Sequence, residues 1–367
     1  LSLKAGIVGL PNVGKSTLFN ALTKAGAHAS NYPFATIDPN VGVVDVPDAR
    51  LKRVHELSDA KAMVPTAFEF IDIAGLVEGA SDGDGLGNRF LSHIREVDAL
   101  VHVVRCFEDS DVPHLAGDVD PVRDVDLLEG ELMLADLEVV EKRLPKIEKK
   151  ARLEVDKQTV REHELLKRVR RTLLDERPLR TMALGEDERK RLRAFGFLTL
   201  KPVLYVANVG EEDLGSYAAS RHYRALQDKA ESEGAGLMAF SADLEAELAE
   251  LSESEAADYL AEFDLQRTGL DRLIRETYDL LGLGTFFTTN ENETRAWTFK
   301  RGMNAYDCAG RVHTDFQEGF IKAEVIPFDT LDAIGSIRKV REIGKARIEG
   351  KDYPVQDGDL ILFKFKL

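Results

Sequence analysis

Between Gly9 and Ser16 the chain reads Gly-Leu-Pro-Asn-Val-Gly-Lys-Ser: a glycine, four residues, then Gly-Lys-Ser. These residue types at this spacing fit one chemistry, the holding of a nucleotide's phosphate tail. Gly9 and Gly14 let the backbone curl until successive N–H groups face an anion. Lys15 adds a point charge for the β- and γ-phosphates, and the Ser16 hydroxyl can ligate Mg²⁺. The expected cradle is Asn12, Val13, Gly14, Lys15, Ser16 and Thr17, with Lys15 as the first catalytic candidate.

A phosphate loop needs further groups, and the chain offers them in order. Thr36, in the proline-containing stretch Asn31–Ile37, can give Mg²⁺ a hydroxyl while a γ-phosphate is present and release it afterwards, as a switch segment does. Asp72-Ile73-Ala74-Gly75 closes the run Thr66–Ile73 and supplies a metal-holding carboxylate at Asp72 and a γ-phosphate N–H at Gly75. Glycines at 79, 83, 85 and 87 make the following stretch a second expected switch. Leu76 stands where GTPases of the Ras type carry a water-orienting glutamine, and leucine cannot orient water. Either hydrolysis is slow or another group places the water. His114 is the candidate, against the plain alternative of an exposed loop histidine.

Base recognition is expected at Asn208-Val209-Gly210-Glu211 and at Ser241-Ala242. A GTPase has N-K-x-D at the first of these, its aspartate accepting from guanine N1–H and N2–H. Here Val209 replaces the lysine and the longer Glu211 the aspartate, which weakens discrimination against adenine. ATP is therefore expected to be accepted and preferred, with Asn208 available to adenine N6 and N7. GTP remains the alternative.

These residues need a parallel sheet to carry them. Ala5–Val8, Ala99–Val104 and Lys201–Ala207 read as buried strands, and Leu18, Phe19 and Leu22 follow the phosphate loop at helical spacing. From about 126 to 195 the pattern turns helical. Leu137, Val140, Leu144, Ile147 and Ala151 form a seam, and Leu166, Val169 and Leu173 a second one, together an antiparallel helical arm that Pro145 should kink. The tail alternates like strands around short turns, an α+β binding module in which Trp297 and His313 are structural. The expected division is 1–130 and 199–283 for an α/β nucleotide domain, 131–198 for the inserted coiled-coil arm, and 284–367 for the tail domain.

Composition sets the outer limits. The 367 residues are 44% hydrophobic and 31% charged, with no apolar run of membrane-spanning length, and the opening residues lead into a strand and do not resemble a signal peptide. Cys106 and Cys308 lack partners at zinc or disulfide spacing, which suits a reducing cytoplasm. Net charge is −16, yet Glu141–Arg193 holds 18 Lys+Arg against 11 Asp+Glu. A basic segment on an acidic body fits contact with nucleic acid, or else an ordinary solvated helical face.

Taken together, Gly-Leu-Pro-Asn-Val-Gly-Lys-Ser, Asn-Tyr-Pro-Phe-Ala-Thr, Asp-Ile-Ala-Gly-Leu and Asn-Val-Gly-Glu resemble the YchF/Obg-like ATPase family, over essentially the whole chain. The resemblance implies a P-loop domain, a coiled-coil insertion and a C-terminal β-grasp TGS domain. It further implies ATP over GTP, Mg²⁺ at Ser16 and Thr36, K⁺ coordinated by Asn12, and binding to the ribosome and its large subunit. The basic arm and TGS-like module would then touch rRNA or ribosomal protein, with the chain acting as a monomer. A scaffold gated by nucleotide, with hydrolysis incidental, is the reading of another class.

Overall fold

A computed structural model describes residues 3–26, 40–74, 85–109, 114, 117–153, 156–263 and 265–366. Strand β1 (Lys4–Val8), helix α1 (Lys15–Gly26), β2 (Val41–Asp45), α2 (Ala49–Glu56), β3 (Ala62–Val64) and β4 (Ala67–Asp72) come first. They are followed by α3 (Gly85–Glu96), β5 (Ala99–Arg105), α4 (Pro121–Arg152), α5 (Lys157–Leu174) and α6 (Glu186–Arg193). Next are β6 (Val203–Asn208), α7 (Arg221–Glu233), β7 (Gly236–Phe240), α8 (Ala242–Leu248), α9 (Glu253–Glu262) and α10 (Gly269–Leu280). The tail holds β8 (Leu283–Thr289), β9 (Glu293–Lys300), α11 (Ala305–Val312), α12 (Thr314–Glu318) and β10 (Phe320–Pro327). It ends in α13 (Phe328–Ile334), α14 (Ile337–Glu342), β11 (Arg347–Glu349) and β12 (Asp359–Phe365).

The chain divides into two compact units, one of Leu1–Val43 with Glu69–Leu273 and the other of Val44–Phe68 with Ile274–Leu367. The first is built on a sheet in the order β2-β4-β1-β5-β6-β7, with β1 parallel to both β4 and β5, and β6 parallel to both β5 and β7. Every residue of β5 and β6 is buried, as expected for parallel strands covered on both faces. The sequence shows this as apolar runs, broken in β5 only by His102 before the closing Arg105. The central strands deliver the loops after β1, β4 and β6 to their carboxyl ends, where open α/β sheets bind ligands.

The arm is present as a helical hairpin. Asp120 caps α4 by accepting from Arg123 N, and Asp156 caps α5 by accepting from Thr159 N. Val140 and Ile147 bury against Leu166, Val169 and Leu173, joined by Leu179, Met182, Leu192 and Phe197 from the segment that includes α6. Ion pairs Arg143–Glu162 and Arg170–Glu141 place α5 running back along α4. The helix passes through Pro145 without interruption, so the proline does not end it. Rather than forming a unit of its own, the arm belongs with the nucleotide unit, to which a buried charge network ties it. Arg180, after α5, donates to both oxygens of Glu129 on α4 at 2.7 and 3.2 Å, to Glu233 on α7 at 2.7 Å and to the Tyr205 hydroxyl at 3.1 Å.

The second unit carries a mixed sheet in the order β11-β10-β12-β8-β9-β3. The β8–β9 and β10–β12 pairs are antiparallel, and β12 meets β8 in parallel at Leu360 and Phe287, the crossed-hairpin arrangement of a β-grasp domain. Phe286, Phe299, Cys308 and Phe363 fill one side of it. The unit reaches beyond the expected 284–367 in two places. The unit takes in residues from 274, and it also takes 44–68, because β3 pairs with β9 and the apolar face of α2, Leu51 and Val54, packs with Phe287, Ala296 and Leu331. A short strand and a two-turn helix more than 200 residues from their partners carry no local signal of that placement. Trp297 and His313 are structural as expected: the indole N–H donates to Thr288 Oγ1 and the imidazole Nδ1 accepts from Asp315 N.

Candidate nucleotide site

The loop between β1 and α1 has the backbone its glycines call for. Gly14 sits at φ +93°, and Asn12 also lies in the left-handed region at +63°. A side chain at Gly9 would put its Cβ 2.7 Å from the Val103 carbonyl oxygen on β5, and one at Gly14 would lie 2.3 Å from Asn208 Nδ2. The loop is thus pressed between the ends of β5 and β6, and no larger residue fits at either position. Leu18 N donates to Gly14 O at 3.0 Å, starting α1 directly beneath the loop.

Lys15 Nζ meets Asp72 Oδ1 in a short ion pair, so the two groups expected at the phosphate and metal positions are brought together from α1 and β4. Ser16 is exposed at the first turn of α1, beside Thr17, and Asn12 is exposed on the loop, while Val13 is buried. No cluster of three or more His, Cys, Asp or Glu capable of holding a metal occurs among the described residues. Asp72 and Ser16 offer a carboxylate and a hydroxyl, oxygen donors of the kind that suit Mg²⁺. Thr36 and Gly75, like Leu76, Gly79 and Gly83, lie outside the described residues, while Gly85 and Gly87 stand in the first turn of α3.

Asn208, at the end of β6, does something the motif alone did not disclose. Its Nδ2 donates to Val13 O at 2.9 Å and its Oδ1 accepts from Ala242 N at 3.0 Å, with the residue 3% exposed. The amide is a brace between the phosphate loop and the start of α8. The brace uses one lone pair of its oxygen and one of its two N–H donors, which leaves one lone pair and one N–H for the expected pairing with adenine N6 and N7. Val209 follows it in the chain. Its side chain is buried in the core beside β6 and its N–H donates to Phe240 O at 2.8 Å, so it presents no side chain to a base. Ser241 caps α8, its hydroxyl accepting from Leu244 N, and Ala242 serves through its backbone. Glu211 opens a short 3-10 turn, with its carboxylate accepting from the Tyr259 hydroxyl of α9 at 2.9 Å.

His114 is not an exposed loop histidine. Its Nε2 lies 2.8 Å from Asp124 Oδ2 in the first turn of α4, and both side chains are almost wholly buried. On the same connection Arg105, at the end of β5 and 1% exposed, donates to the carbonyls of Phe107 and Asp109. Asp124, Arg105 and Tyr259 escape recognition in the sequence because none belongs to a spaced motif; each acts through a partner brought near by folding. Cys106 and Cys308 are buried free thiols, raised by burial well above the ordinary range, Cys308 to about 12, so neither is set up as a thiolate nucleophile.

Comparison with known proteins gives the family. A family model described as "50S ribosome-binding GTPase" matches residues 4–140, and the YchF-GTPase_C model, described as a protein of unknown function, matches 283–366. The "Ribosome-binding ATPase YchF" of Bacillus subtilis is 50% identical, and that of Escherichia coli O157:H7 44%, each over the full length of both chains. The solved Schizosaccharomyces pombe YchF GTPase superposes with a TM-score of 0.89 at 37% identity, covering 99% of this chain and 98% of that one. With sequence identity of this order from end to end, and a fold shared over the same span, the chain belongs to the YchF family.

Proposed function

We propose that the chain binds and hydrolyses ATP and engages the ribosome, with the bound nucleotide modulating that engagement in a translation-associated role. The observation that carries the nucleotide half is the joining of Lys15, Asp72 and the Asn208-braced loop at the carboxyl ends of β1, β4 and β6. Backbone N–H groups of residues 12–17 would hold the phosphates, and Lys15 would exchange Asp72 for the β- and γ-oxygens. Ser16, Thr36 and Asp72 are the residues that would hold Mg²⁺, which when bound neutralises charge between the β- and γ-phosphates. Asn12 is assigned to K⁺ and Gly75 to the γ-phosphate.

ATP rather than GTP follows from the base side. Val209 lends no cation, and the Tyr259 hydroxyl ties the Glu211 carboxylate in place, which makes it a poorer acceptor for guanine's donors. His114 is the proposed water-positioning residue, and to serve it must leave Asp124. The ribosome half rests on the relatives' printed names and on the basic arm, through which, with the β-grasp unit, the chain would touch rRNA or protein of the large subunit, acting as a cytoplasmic monomer. No described helix is long and apolar enough to cross a membrane. The burial of His114 against Asp124 favours a second reading, a nucleotide-gated scaffold with incidental turnover.

Single-turnover hydrolysis with purified ribosomes and K⁺ titrated in tests both readings. ATP turnover stimulated by either, and abolished in Lys15→Ala, is expected. Tight ATP-dependent ribosome binding with no stimulation would select the scaffold, and turnover untouched by Lys15→Ala would remove the phosphate-loop assignment.

A further inference from the structure

A glutamate at position 211 does not by itself explain a loss of guanine recognition. A carboxylate is an acceptor whatever its tether, and one more methylene than aspartate still leaves it able to accept N–H donors on a purine edge. Something must keep Glu211 from doing so. In the structure its Oε1 accepts from Tyr259 Oη at 2.9 Å, and the same hydroxyl lies 3.0 Å from Glu247 Oε2 on α8. Tyr259 is itself held: it is half-buried, its ring stands edge-on to Phe263 at 5.6 Å, and α9 is fixed at its start by the reciprocal Ser252–Glu255 cap. One phenol from a stably capped helix therefore reaches two elements that border the expected base pocket, the turn after Asn208 and the helix after Ser241.

We propose that Tyr259 is a specificity-determining positioning residue, whose hydroxyl holds the Glu211 carboxylate off the purine edge and so removes the guanine preference that a free carboxylate would give. The chemistry sets the direction. Guanine offers two donors, N1–H and N2–H, to a carboxylate at that edge, whereas adenine offers the N1 lone pair, which a carboxylate repels. A free Glu211 would favour guanine and penalise adenine, and a Glu211 held away from the edge by Tyr259 does neither. Because one proton serves two carboxylates, Glu247 competes for it. Removing the charge at Glu247 should tighten the hold on Glu211, and removing the hydroxyl should release it. The proposal rests on the reading that the base lies beside Glu211.

The test is the ratio of ATP to GTP affinity in the full chain, measured with fluorescent analogues of both nucleotides. Tyr259→Phe keeps the ring on Phe263 and deletes only the oxygen; the ratio is expected to shift toward GTP by about tenfold, about 1.4 kcal/mol. Glu247→Gln is expected to keep the wild-type ratio or to favour ATP further. Glu211→Asp, too short to keep the Tyr259 contact, should also gain GTP affinity, and adding Tyr259→Phe to it should change nothing more. An unchanged ratio in Tyr259→Phe with an unchanged melting temperature would overturn the proposal, as would additive effects in the double variant. Should Tyr259→Phe not fold, Glu211→Asp carries the decision, and no gain in GTP affinity overturns the hold. A wild-type chain without ATP preference would end the base-pocket reading itself, and the role of Tyr259 with it. A preference that survives release of Glu211 would end only the latter.

Discussion

Asn208 separates what a motif says from what a side chain does. The position is conspicuous because it follows a buried strand in a nucleotide fold, and the natural inference is a contact with the base. Its carboxamide closes two gaps in the protein, one to the phosphate loop and one to the first residue of α8. Asn208→Ala leaves the Val13 carbonyl and the Ala242 N–H without their partner, each at a cost of about 1–3 kcal/mol when buried. A brace supports any nucleotide, so affinity for ATP and for GTP should fall together, by about tenfold or more. Titration with both analogues checks this, and a loss confined to ATP would assign Asn208 the role of adenine reader. Gly14 and Lys15 were legible from spacing because backbone curvature and charge are properties of residue type. The brace was not, because an amide's partners are chosen by the fold.

Among the elements, the arm shows the same division. Its apolar seam was readable, since helical periodicity survives in sequence, and Val140, Ile147, Leu166 and Val169 are buried where the spacing put them. Its charge is more selective than composition suggests. Arg168 and Arg170 are paired with Glu188 and Glu141, and so act chiefly within the arm. Lys146, Lys149, Lys150, Lys157 and Arg161 cluster near the hairpin's end, all exposed and without an ion pair to a described residue. These are the charges free to meet phosphates. Replacing the five with glutamine should weaken ribosome association and flatten its dependence on salt, with the slope of log K against log salt reduced roughly in proportion to the number of phosphates the arm no longer neutralises. Sedimentation across a salt series reads this directly, and an unaltered slope would move the interface off the arm. At the other end, Arg180 is the buried cation shared by Glu129 and Glu233. Burial raises the Glu129 carboxyl; Glu233, pushed up by burial too, is held below its usual range by Arg180 and Lys229. Arg180→Ala strands two carboxylates and should destabilise the nucleotide unit by about 3–5 kcal/mol in denaturant unfolding.

For the molecule as a whole, the parallel core and the tail's strands were legible and the division of the chain was not, because 44–68 joins its unit through long-range pairing with β9. Burial has a comparable long-range consequence for acid stability. His102 lies on β5 with 1% exposure, and burial, reinforced by the nearby Arg180 and opposed by Glu233, lowers its imidazole to about 3. An unfolded histidine titrates near about 6.5. Between those values the unfolded chain binds a proton that the folded chain refuses, so stability present above about pH 6.5 is lost as pH falls through the window, at up to about 1.4 kcal/mol per pH unit. Asp136 and Glu245 act in the other direction. Burial raises them to about 6 and about 7, so the folded state takes up their protons first and gains stability on acidification. The net curve therefore identifies no single group, but the difference between two proteins does. His102→Asn removes the titration and leaves the two acids in place, so its urea midpoint should fall less than that of the wild type between pH 7 and pH 4.5. Midpoints that move in parallel over that range would mean that His102 is protonated in the folded chain, with its charge accommodated beside Tyr205 and Glu233.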